Sequence, residues 1–166
     1  MKALILYRTF YGNTRQVAEE IGRRLEAAGH QAQRCDLRRQ RVPGLADFDL
    51  VLLGAPTRMA RAGWRAMYAL RRLRRKRLGA RLLVIFDTYG PVPTDPAKLQ
   101  ESRKWLFPGA AGRLAEKAKR LGLNVYAQVL RCEVREMKGP LQEGEPEKIA
   151  AFVKELLATV GRDNKK

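Results

Sequence analysis

Residues 3 to 18, ALILYRTFYGNTRQVA, hold the reading on which the fold turns. Ala3 to Tyr7 is a short unbroken apolar run, the pattern of a strand buried on both faces in a parallel sheet. From Thr14 to Ala28 the apolar residues recur as Val17, Ala18, Ile21 and Leu25, which share one helical face, and Gly29 supplies the stop. Between strand and helix lie Thr9, Phe10, Tyr11, Gly12, Asn13 and Thr14, with hydroxyls, a glycine and no acid. Unpaired backbone N–H groups at a helix start, helped by Thr hydroxyls, form an anion site suited to a phosphate monoester. Each bond to a charged oxygen contributes about 1.5 to 3 kcal/mol, so four or five hold a dianion without Lys or Arg. The loop fits neither G-x-G-x-x-G nor G-x-x-x-x-G-K-[ST], which disfavours a dinucleotide fingerprint and a nucleotide triphosphatase. The simpler alternative leaves Asn13 and Thr14 as helix caps.

The same alternation continues outward. Gln31 to Leu37 is a more polar strand, expected at an edge, while Leu50 to Leu53 and Arg81 to Phe86 are buried strands. Trp64, Met67, Tyr68, Leu70 and Leu73 recur at helical spacing, and Ala110 to Leu121 forms a further helix ended by Gly122. A strand follows from Asn124 to about Val134, in which Val125, Ala127 and Val129 alternate. The final helix starts after Gly144 and Pro146, where Glu145 and Glu147 suit the positive end of the helix dipole. Its apolar face carries Ile149, Phe152, Val153, Leu156 and Leu157. Five strands and four helices in alternation predict an α/β domain over residues 1–160, with 161–166 as a short polar tail. Thr88 to about Lys98, with its prolines, is the longest irregular stretch and is expected to be a functional loop.

Composition narrows the function. The 166 residues hold 34 Lys plus Arg against 17 Asp plus Glu, a formal charge of +17 that favours acidic partners or polyanions. No apolar run approaches the roughly 18 residues that cross a bilayer, and the start lacks a secretory pattern, so a cytoplasmic location is expected. Cys35 and Cys132 are too few for a disulfide framework and lack metal-ligand spacing. The single His30 has no partner, which disfavours a zinc hydrolase or a His-dependent triad.

The segment Tyr7 to Ala18, YRTFYGNTRQVA, resembles the phosphate-binding loop of the flavodoxin family, whose pattern is [ST]-x-[ST]-G-N-T. DLVLLGAPT at 49 to 57 and LVIFDTYG at 83 to 90 are similar to that family's second and third flavin loops, and KGPLQEGE at 138 to 145 resembles its approach to the last helix. The resemblance implies a three-layer, doubly wound sandwich with a five-stranded parallel sheet in the order 2-1-3-4-5, and noncovalent FMN at the switch point between strands 1 and 3. It implies that Thr9 to Thr14 cradle the FMN phosphate, that Pro56, Thr57 and Arg58 line one side of the isoalloxazine, and that Thr88, Tyr89 and Gly90 line the other. Tyr89 is the expected stacking aromatic, with a plain loop aromatic as the alternative; Pro56 is equally a turn residue. Tyr11 replaces the third-position Ser or Thr of the pattern. The second loop lacks the Trp that many flavodoxins stack on the ring; Trp64 is read as the first core residue of its helix, with stacking as the alternative. If strands 2 and 5 are opposite edges, the cysteines lie four spacings of ~4.8 Å apart, roughly 19 Å.

The acidic surface of carrier flavodoxins is absent. Arg58 to Arg81 instead contains ten basic residues and no acid. That segment is expected to dock an acidic redox protein or an anionic surface, with nonspecific nucleic-acid binding in low salt; the alternative is a solvated helix face. Because the run Arg71 to Arg77 within it shows no interleaved base-stacking aromatics, acidic protein ranks above specific nucleic acid. The expected function is FMN-dependent electron transfer, with an FMN-dependent reductase of quinones or similar acceptors as one alternative. The other is a flavin-free interaction or nucleic-acid-binding module. Carrier and enzyme are not separable from sequence, because the flavin itself performs the redox step.

Overall fold

The computed structural model describes residues 1–163. Its strands are β1 (Lys2–Tyr7), β2 (Gln31–Asp36), β3 (Leu50–Pro56), β4 (Leu82–Tyr89) and β5 (Val125–Glu133). Its helices are α1 (Asn13–Ala27), α2 (Trp64–Arg75), α3 (Pro96–Leu106), α4 (Gly109–Arg120) and α5 (Glu145–Asp163). The strands form one sheet in the order β2-β1-β3-β4-β5, with every neighbouring pair parallel. This is the order and class expected from the sequence. The helix α5 runs through Asp163, and residues 164–166 of the expected tail lie outside the described residues.

Burial explains why the central strands read as continuous apolar runs. Leu4, Leu6, Val51 and Leu53 face a core closed by Leu70 and Leu73 of α2 and Leu114 of α4. Ala3, Ile5, Leu50 and Leu52 face the opposite core, closed by Ile21 and Leu25 of α1 and Ile149 and Leu156 of α5. Every residue of β1 after Lys2 is therefore buried, and alternation has no surface to mark. The edge strand β2 keeps the half-polar pattern its position allows.

Three differences from the sequence reading have physical causes. The strands β3 and β4 run on to Pro56 and Tyr89, beyond their apolar runs, because the pairing register continues through Ala55–Asp87 and Pro56–Thr88. The helix α3 occupies part of a region read as loop; only its last residue, Leu106, is buried, so no apolar stripe announces it. Its signals are local instead: Asp95 caps it by accepting the Lys98 amide at 2.9 Å, and Pro96 opens it. Finally, Trp64 is not a core residue: it is 70% exposed.

Cys35 and Cys132 are both free and buried, on opposite edge strands and in opposite cores. Burial, together with neighbouring Glu145, pushes the Cys132 thiol well above its ordinary range, which suppresses the reactive thiolate. Native protein treated with a thiol reagent is therefore expected to leave Cys132 unlabelled, while urea-unfolded protein labels at both cysteines. Rapid native labelling of Cys132, or an intramolecular disulfide, would contradict the packing.

Among the described residues, no helix is long and apolar enough to cross a membrane.

Candidate functional site

A cleft of about 330 Å3 opens at the carboxyl ends of β1, β3 and β4, where the strand order reverses. Thr9, Phe10, Tyr11, Asn13 and Thr14 line it from the first loop, Pro56, Thr57 and Arg58 from the second, and Thr88, Tyr89 and Gly90 from the third. Gly12 alone of the expected residues does not line it. Met59, Trp105, Leu106, Val134 and Met137 line it without having been expected.

The first loop is built to leave donors free. Gly12 takes the left-handed region, φ 95°, and its amide donates to Thr9 Oγ1 at 2.9 Å. Its carbonyl accepts the Gln16 amide, which starts α1. The amides of Phe10, Tyr11, Asn13, Thr14 and Arg15 find no acceptor among the described residues. The first turn of α1 carries no acid, and no side chain caps it, so the positive end of its dipole stays open. The Thr14 hydroxyl is buried and pairs with the Thr88 hydroxyl at 2.9 Å, which fastens α1 to the end of β4. A Cβ at Gly12 would have only the Arg15 guanidinium nearby, at 3.9 Å. Backbone conformation, more than crowding, is what requires glycine there.

The second loop doubles back on itself. Arg58 and Arg61 exchange backbone hydrogen bonds of 3.0 Å in each direction, around Met59 and Ala60 at φ 49° and 56°. Consecutive left-handed non-glycine residues are strained, and here the surroundings hold them. The Ala60 amide donates to the Trp105 carbonyl at 2.6 Å, and Arg113 Nε donates to the Ala60 carbonyl at 2.7 Å. This contact brings α3 to the cleft and sets Trp105, 47% exposed, in its wall. The second loop itself carries no aromatic into the cleft, and the Trp105 ring beside it comes from a helix distant in sequence.

Asp87 holds the floor. It is fully buried and pairs across strands with Arg131, whose Nε lies 3.0 and 3.2 Å from its two oxygens. Oδ2 also accepts the Thr57 hydroxyl at 2.7 Å and the Ala111 amide at 3.0 Å, while Thr57 Oγ1 accepts the Ala110 amide at 2.6 Å. One carboxylate therefore caps α4 and fixes the second loop. Arg131 in turn donates to the Leu106 carbonyl at 2.8 Å and lies over the rings of Tyr89 and Phe107, 4.2 and 5.0 Å from their centroids. A side chain at Gly109, φ 72°, would strike this pair. Burial raises the Tyr89 phenol above its ordinary range.

Among the described residues, no acidic side chain lines the cleft. Arg8 and Arg58 stack on Phe10 at 4.1 and 4.7 Å, so cations flank the entrance. Arg61 and Arg65 do not line it. Such a concave site, with one end rich in unpaired amides and the other walled by rings, suits a flat aromatic ligand carrying a phosphate.

The family description "Flavodoxin domain" matches residues 4–137. The chain belongs to the flavodoxin domain family. Among solved structures, this flavodoxin-domain chain is similar to an archaeal flavodoxin (TM-score 0.69, 21% identity, covering 93% of this chain and 99% of that one). Flavodoxin 1 from Bacillus cereus gives 0.71 at 17% identity, covering 95% and 98% of the two chains. The Fusobacterium nucleatum flavodoxin bound to flavin mononucleotide gives 0.66 at 15% identity, covering 95% and 98%.

Proposed function

We propose that residues 1–160 form one flavodoxin-like domain that binds FMN in this cleft and carries electrons between cytoplasmic redox partners. The observation that carries the reading is the acid-free cleft itself, with the open N-terminus of α1 at one end and Tyr89 and Trp105 at the other. The unpaired amides from Phe10 to Arg15 and the Thr9 hydroxyl would hold the phosphate, and Tyr89 and Trp105 the ring. Thr14 Oγ1 already has a partner in Thr88 and serves the packing. Tyr11 contributes its amide in place of the short hydroxyl the family pattern carries at that position. Bound FMN supplies one- and two-electron redox chemistry, so the protein needs no separate acid, base or nucleophile. What the chain adds is position and electrostatics.

Reduction adds negative charge to a flavin, and Arg58 at the cleft favours that charge. An exposed unit charge about 8 Å away, at an effective dielectric of ~40 to 80, contributes ~0.5 to 1 kcal/mol. For a one-electron step this is about 20 to 40 mV. Purified protein stripped of flavin is expected to bind one FMN per chain in a fluorescence titration, and Arg58→Gln to lower the potential of the bound flavin by tens of millivolts, less at high salt. Absence of any FMN affinity would remove this reading and leave the flavin-free module. An unchanged or raised potential would take Arg58 out of the flavin's surroundings.

A further inference from the structure

Beside the cleft, the segment after β2 and the outer face of α2 enclose a second cavity of about 350 Å3. Its floor is apolar, with Leu37, Val42 and Ala69 all buried. Its rim carries Trp64 and Tyr68, one helical turn apart and 70% and 48% exposed. Arg41, Arg65 and Arg72 share the lining, and among the described residues no acid does. Arg65 lies over the Trp64 ring at 4.7 Å and Arg72 over the Tyr68 ring at 5.9 Å.

The helix does not need these rings to fold. α2 is held to the sheet by Ala66, Ala69, Leu70 and Leu73, while Trp64 and Tyr68 leave a large apolar surface in water. Trp, Tyr and Arg dominate the energetics of protein interfaces, especially around a pocket that one partner side chain fills. Outside the run Arg71 to Arg77 the aromatics also interleave with arginines, which brings single-stranded nucleic acid into the comparison. Two observations favour a protein. A guanidinium of the same chain already lies over one face of each ring, which competes with a stacked base, and the cavity is one notch, not a track.

The groove is also joined to the cleft by charge. Arg65 donates to the Leu37 carbonyl at 3.3 Å, and it stands near enough to Arg8 to help lower that group's pKa, after burial and Arg38. Arg8 in turn stacks on Phe10 at the cleft. A partner seated on the groove therefore lies next to the cleft entrance. We propose that this groove docks the acidic face of a redox protein, with an apolar side chain of the partner entering the notch between Trp64 and Tyr68 and its carboxylates meeting Arg41, Arg65 and Arg72. That the partner is a redox protein rests on the FMN reading; the acidic, apolar-anchored chemistry rests on the groove alone.

The test uses flavin-free protein carrying Trp105→Phe, so that Trp64 is the only tryptophan reporting. Three probes are titrated: a short Asp- and Glu-rich peptide with a central Phe, the same peptide with Ser in its place, and an oligo(dT) of matched charge. The Phe peptide is expected to bind saturably with a change in Trp64 emission. Tyr68→Ala and the pair Arg65→Gln with Arg72→Gln are each expected to weaken it by about tenfold or more. The pair Arg74→Gln with Arg75→Gln, exposed and outside the groove, is expected to weaken it by less than about threefold. Equal binding of both peptides, or equal losses from both arginine pairs, would reduce the groove to diffuse charge and overturn the proposal. Tighter binding of oligo(dT) than of the Phe peptide, with Trp64 quenched, would overturn it in favour of nucleic acid. If the variant binds the peptide as expected yet the parent protein, with Trp105 intact, takes up no FMN, the groove stands and the cofactor reading falls.

Discussion

Asp87→Ala is expected to lower the stability of the protein by about 3 kcal/mol, the low end of the range for breaking a buried ion pair. The carboxylate is fully buried, while the Arg131 side chain is 15% exposed and keeps its bond to the Leu106 carbonyl. The cost arises from what is left behind: a cation facing an apolar cavity, an Ala111 amide without an acceptor and a Thr57 hydroxyl without its partner. Equilibrium urea unfolding measures it as a fall in midpoint at constant m. Asp87→Ala combined with Arg131→Met is expected to lose less than the single variant, because the unpaired charge is gone. A single-variant loss within about 1 kcal/mol of zero, the ordinary range for surface positions, would mean the pair does not hold the floor.

Gly12→Val is expected to weaken FMN binding by about a hundredfold or more. The substitution places a β-branched residue at φ 95°, and the backbone must leave that region. Moving it misaligns the neighbouring amides; losing two charge-assisted bonds of ~1.5 to 3 kcal/mol each corresponds to roughly 10² to 10⁴ in affinity. Riboflavin, which lacks the phosphate, is the control and is expected to bind both proteins about equally. Unchanged FMN affinity, or an equal loss for riboflavin, would move the phosphate anchor away from this loop. A circular dichroism spectrum matching the parent excludes unfolding as the cause.

The sheet order and the first loop were legible because both are written in adjacent residues. A strand buried on both faces is an apolar run, and Gly12 followed by Asn13 and Thr14 marks the turn into α1. The wall formed by Trp105 was not legible in the same way. It depends on α3, which buries almost nothing, and on a bond from Ala60 that joins residues 45 positions apart, 105 less 60. The turn at Met59 and Ala60 lacks the Gly or Asn that ordinarily announces left-handed backbone, because distant groups impose it. Asp87 sits in an apolar strand as a lone acid, and its partner Arg131 becomes a neighbour only once β5 pairs with β4. Trp64 shows the converse: its helical spacing was correct, but spacing does not say which way a first-turn residue points.

The bonds around Asp87 also bear on how the protein moves. They join the end of β3, β4, β5, the last turn of α3 and the first turn of α4. Freeing any one of these segments breaks bonds to the others, so the rim of the cleft opens in a concerted fluctuation and not loop by loop. The amides of Ala110 and Ala111, bonded to Thr57 and Asp87, would then exchange their hydrogens at a common slow rate set by that shared event. The first-loop end of the cleft is held differently. Apart from that of Gly12 its amides are unpaired and would exchange freely until a ligand protected them, so a bound ligand would meet a rigid floor and a loop that it must itself quieten.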